Sequence, residues 1–187
     1  IFIEHCLDNG FFKFNNFPKN IPSVIDGKDF LKNIYWDILN FIIKRDKFLE
    51  LDLYSGDSFF SEFETQDLAC MSGKVGYLKD FILVFRIWND NFNKFKINIK
   101  DFIRSMTYMK KPYLFALKNN IFTKEELTEI YQKRFEAYNL NNIVSIVAQQ
   151  HKELLRNINL FYIKNIENQD IDFYLNEFAQ IIEATYQ

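Results

Sequence analysis

Few side chains in this 187-residue sequence are equipped for catalysis or metal binding, and their spacing limits what they can do. The histidines are His5 and His151, and the thiols are Cys6 and Cys70. Structural zinc needs four nitrogen or sulfur ligands close together. These four residues are scattered, so no metal site is expected. The paired Glu-x-x-His segments of a di-iron bundle are missing as well. No G-x-G-x-x-G, no phosphate-cradling G-x-x-x-x-G-K-[ST] and no nucleophile elbow occurs, so no cofactor is expected. Gly73-Lys74-Val75-Gly76 is only a fragment of a phosphate loop, with no strand before it.

Carboxylates are the remaining chemistry. Glu62, Glu64 and Asp67 cluster, as do Asp170 and Asp172. Acid–base work needs two carboxyls in a cleft with separated pKa values. Helix-end and solvated acids are the commoner role, and no catalytic residue is assigned. An enzyme reading would have to assemble distant groups, for example His151 with Glu62 or Asp170.

Charge is segregated along the chain. Asp46, Glu50, Asp52, Asp57, Glu62, Glu64 and Asp67 stand against Lys47 alone over residues 46–67, with Phe48, Tyr54, Phe59, Phe60 and Phe63 interleaved. Residues 94–124 invert the pattern: Lys94, Lys96, Lys100, Arg104, Lys110, Lys111, Lys118 and Lys124 against Asp101. An acidic surface with aromatic anchors steers a basic partner and holds it. The basic run would favour a nucleic acid, but lysine prevails over the bidentate arginine that base reading prefers. The two runs are also able to pair within the fold.

The elements that position these residues are mostly helical. Asp8-Asn9-Gly10 suits either a hairpin turn or a helix end, and Pro18 and Pro22 keep the next stretch extended or turned. Asp26 or Asp29 caps a helix carrying Leu31, Ile34, Ile38, Phe41 and Ile42, which runs toward Leu49 and Leu53. Leu68, Met71, Val75, Leu78, Ile82 and Phe85 form one stripe and predict a long helix over 65–89, with Gly73 and Gly76 as a close approach or a break. Ile99, Phe102, Ile103 and Met106 start another, which Pro112 ends or kinks. Thr123 and Glu126 have the spacing of a capping box ahead of Leu127, Ile130, Tyr131 and Phe135. Asn141 or Asn142 opens a helix carrying Val147, Leu154 and Ile158. Asp170 opens the last, with Tyr174, Leu175, Phe178, Ile181 and Ile182. The expected fold is an all-α, single-domain bundle of about six helices. Residues 1–25 form a short irregular or hairpin N-terminal segment, and residues 26–187 the helical domain.

The abundance of Phe, Tyr, Ile, Asn and Lys fits A/T-rich coding, and large aromatics supply a substantial core. No apolar run reaches the ~20 residues of a membrane span, and Glu4 and Asp8 rule out reading the first residues as a signal peptide. Two cysteines amid apolar neighbours fit reduced thiols in a cytoplasmic protein. In overall character, a small, mildly acidic helical chain without catalytic motifs, the sequence resembles immunity proteins of bacterial toxin systems, including contact-dependent growth inhibition. That resemblance implies a non-enzymatic inhibitor that covers the active site of a cognate toxin domain, a basic nuclease. Its contact surface would be Asp46, Glu50, Asp52, Tyr54, Asp57, Phe59, Phe60, Glu62, Glu64 and Asp67. Membranes and nucleic acids are not the expected partners.

Overall fold

The computed structural model describes residues 5–6, 11–12, 24–33, 43–52, 61–76, 99–136 and 151–185. They are mostly helical. In chain order they form β1 (His5–Cys6), β2 (Phe11–Phe12), β3 (Val24–Asp26), α1 (Gly27–Lys32), α2 (Arg45–Glu50), α3 (Ser61–Met71) and β4 (Lys74–Gly76). Then come α4 (Ile99–Ser105), a 3₁₀ turn (Met106–Met109), α5 (Lys110–Lys118), α6 (Lys124–Arg134), α7 (Lys152–Lys164) and α8 (Ile171–Thr185). The all-α expectation holds, with two small additions.

β1 and β2 pair antiparallel, His5 opposite Phe12; Asp8-Asn9-Gly10, expected as a hairpin turn or a helix end, lies outside the described residues. The second addition corrects the long helix. α3 stops at Met71, and β4 pairs antiparallel with β3, Ile25 opposite Val75. Gly73 and Gly76 therefore mark a break. The Gly27 amide donates to the Gly73 carbonyl at 3.0 Å. A Cβ on Gly27 would lie 1.8 Å from the Cys70 carbonyl oxygen, so only glycine lets α1 start against the end of α3. The first helix, expected to run through Ile42 toward Leu53, ends at Lys32 with Asn33 as its C-cap, and its residues 34–42 fall outside the described residues, as do the remainder of 65–89 and the start at Asn141 or Asn142.

Local signals set several ends. The Asp26 carboxylate accepts from the Lys28 amide at 2.9 Å and caps α1. At α6 the capping box is complete: Glu126 donates its amide to Thr123 Oγ1, and its carboxylate accepts from the Thr123 amide at 2.9 Å. Pro112 neither ends nor interrupts α5. It sits in the first turn, where its missing N–H has no intrahelical partner to lose, and the change of direction falls in the preceding 3₁₀ turn. Past the other end of α5, Asn120 takes φ 52°, and the Ile121 amide reaches the Ala116 carbonyl at 2.9 Å, a Schellman closure.

One core joins these elements. α4 packs along α8, α6 against α7, and α3 between α1, the 3₁₀ turn and α5. Leu31, Phe63, Leu68, Ile103, Met106, Tyr108, Tyr131, Phe135, Leu155 and Leu175 are among its buried members. The Phe63 and Tyr108 rings lie 5.4 Å apart, and Tyr113 stacks on Tyr131 at 6.2 Å. Among the described residues, no helix is long and apolar enough to cross a membrane.

Candidate functional site

The acidic run does not form one surface. α2 carries Asp46 and Glu50, and Asp52 follows it; all three are exposed. Lys47 pairs with Glu50 inside the helix. Lys44 and Arg45, just before the run, bring the charge of residues 43–52 to zero.

The expectation fails outright for Glu64 and Asp67. Every side chain from Phe63 to Leu68 is buried, so this stretch of α3 presents no solvent face. Glu64 is 5% exposed and Asp67 1%. Neither can meet a partner. The reason is compensation from other elements. Asp67 Oδ2 accepts from Arg134 Nη1 and from the Tyr131 hydroxyl at 2.9 Å. The Arg134 guanidinium lies 5.6 Å from the Phe63 ring centre and 5.4 Å from that of Tyr131. Burial lifts the Asp67 carboxyl above its ordinary range, against the opposing pull of Arg134 and Tyr131. Burial also works against the Arg134 charge, and the Asp67 carboxylate outweighs it. Glu64 Oε1 lies 3.6 Å from Lys111 Nζ. Phe63, offered as an aromatic anchor, is a core residue. Tyr54, Asp57, Phe59 and Phe60 lie outside the described residues, as does the side chain of Glu62.

The buried polar group is not fully satisfied. Thr65 Oγ1 and Gln66 Oε1 find no hydrogen-bond partner among the described residues. Each such group costs about 1–3 kcal/mol. Cys70, one turn beyond Gln66, is a free buried thiol whose pKa burial pushes far up, so it is unreactive as a nucleophile.

Most of the described basic run pairs within the fold, with Lys118 left exposed. Lys100 binds Glu183, Lys110 binds Asp172, and Lys124 binds Glu167. Arg104 Nε donates to the Asn176 side chain at 2.8 Å. Lys111 reaches both Asp52 and Glu64. Lys94 and Lys96 lie outside the described residues. Asp172 also accepts from the Tyr162 hydroxyl at 2.8 Å, so the Asp170–Asp172 pair is divided between solvent and an internal network. His151 precedes α7 and Asp170 follows it. The 13-residue helix between them is about 20 Å long at ~1.5 Å per residue, and no contact joins the two residues among those described. No three His, Cys, Asp or Glu side chains converge among the described residues.

The surface also carries large apolar side chains. On α8, Ile171, Leu175, Ala179 and Ile182 face the core. Phe173 is 62% exposed and Ile181 60%, with Tyr174 between them also exposed. Phe161 of α7 is exposed and meets Phe178 edge-on at 5.5 Å. Phe173 and Tyr174 meet edge-on at 5.9 Å. The helical period sets Tyr174 and Ile181 on one stripe with Leu175, Phe178 and Ile182; the structure splits that stripe, and its outer half is a ridge of exposed apolar side chains with the exposed Glu177 among them. On the opposite side of α8, Lys100 and Lys110 neutralise Glu183 and Asp172.

The chain matches no protein-family model, no curated protein and no solved structure.

Proposed function

We propose that this chain acts by binding and not by turnover, as an immunity protein that covers a cognate toxin domain in the cytoplasm. The contact we propose is the α7–α8 ridge and not the acidic run. The observation that carries the reading is the double-sided α8, whose outer face exposes Phe173, Tyr174 and Ile181 beside Phe161. Contiguous exposed apolar side chains on a folded domain mark contact surfaces. Aromatic anchors of this kind supply most of the energy at protein interfaces. The overall character of the sequence supports the choice of partner class. With Glu64 and Asp67 buried and several lysines of the 94–124 run paired internally, the protein would select its toxin by shape and apolar fit more than by net charge.

A growth assay tests the reading. Cells carry a basic nuclease toxin domain as the candidate partner, together with one of three forms of the protein. The wild type protects, and D46N/E50Q/D52N protects equally. F173D/I181D folds but loses protection, with affinity down at least about a hundredfold, as for removal of two hot-spot residues. No protection by the wild type overturns the immunity reading. Protection by the ridge variant, with loss in the acid variant, overturns the ridge.

A further inference from the structure

We infer that Lys111 is a latch that holds α2 against the bundle, so that α2 lifts away as a unit when the ammonium is removed. α2 has six residues and buries none of them. A helix that short does not persist unaided in water. Its own polar bond, Lys47 to Glu50, stays within the helix. Its apolar side chains are not buried in the core either: Leu49 is exposed and Phe48 is 38% exposed.

The bond that ties it down comes from α5. Lys111 Nζ donates to the backbone carbonyl of Asp52 at 2.6 Å. The Asp52 carboxylate lies 3.7 Å from the same nitrogen, and Glu64 Oε1 3.6 Å. Asp52 is the residue where the chain leaves α2 through the left-handed region, φ 47°, with its amide on the Leu49 carbonyl at 3.3 Å. Among the described residues, no other polar bond joins α2 to another element.

An ammonium has three donors and no acceptor, and this one serves two segments. It stands 3.6 Å from the buried Glu64 carboxylate, and with the same atom it grips the end of α2. Glu64 thereby fixes the ammonium, and the ammonium fixes the helix. The latch is independent of which surface meets the toxin.

Hydrogen exchange read by mass spectrometry on the whole chain tests it. In K111M, amides of residues 46–52 exchange about fivefold faster, the scale of one partly exposed charged bond, while α6 and α7 keep wild-type protection. K111R keeps residues 46–52 within about twofold of wild type, because a guanidinium reaches the same acceptors. K111M takes the ammonium from beside the buried Glu64, so K111M/E64Q is measured beside it. In that variant the core is protected and residues 46–52 still exchange fast. Wild-type exchange at residues 46–52 in either methionine variant overturns the latch. So does uniform acceleration over all elements in the double variant.

Discussion

α3 and α8 reverse each other. α3 places Glu64, Thr65, Gln66 and Asp67 where solvent does not reach, and α8 places Phe173, Tyr174 and Ile181 where it does. In α3 the misfit is largely absorbed from within, by Arg134 and Tyr131 on Asp67 and by Lys111 on Glu64. In α8 none of the described elements covers the outer face. A polar helix in the core teaches about the fold, because its compensating groups lie in the same chain. An apolar face in water teaches about function, because its compensation comes from another molecule.

The comparison breaks most easily at Arg134. Arg134→Met leaves Asp67 buried without its cation and should cost about 3–5 kcal/mol in urea unfolding. Pairing it with Asp67→Leu removes the charge as well and should restore most of that loss. A double variant no more stable than the single one would mean that α3 needs its polar network. The next effect contrasts neighbours on α8. Leu175→Ala, on the inner face, should cost about 2–5 kcal/mol, and Tyr174→Ala, on the outer face, no more than about 0.5 kcal/mol. Equal losses would show that the outer face is packed.

The smallest effect belongs to a surface pair. Glu126 is held below its ordinary value of 4.5, first by the hydrogen bond from Lys32 and then by the Thr123 amide. A carboxyl lowered in the folded state adds stability that is present above pH about 4.5 and is lost as pH falls through the folded value. Glu126→Gln should therefore make stability less sensitive to pH over roughly pH 3–5. An unchanged acid limb in denaturant midpoints would contradict it.

The sequence displayed what is decided locally. The Thr123–Glu126 box and the Asp26 cap need only neighbours. The core faces of α4 and α6 follow the helical period. The end of α3 was hidden because β4 pairs with β3, a partner far back in the chain that no local pattern reveals. The acidic run misled for the same reason: counting charges between 46 and 67 does not see Arg134, 67 residues beyond Asp67. One clue was present. Only five of the basic residues are arginine, against eighteen lysines, and Arg134 continues the apolar positions Leu127, Ile130 and Tyr131. An arginine on an inward stripe asks for a buried carboxylate. On α8, two apolar stripes side by side read as one, and only packing against α4 tells inner from outer.

Carboxyl labelling of the intact protein by carbodiimide coupling, followed by peptide mass spectrometry, bears most directly on this division. Asp46, Glu50, Asp52 and Glu177 should modify quickly, and Glu64 and Asp67 should stay protected until the protein is unfolded. Labelling of Glu64 and Asp67 at the rate of Asp46 would put α3 at the surface and return the acidic run to the role of a contact face.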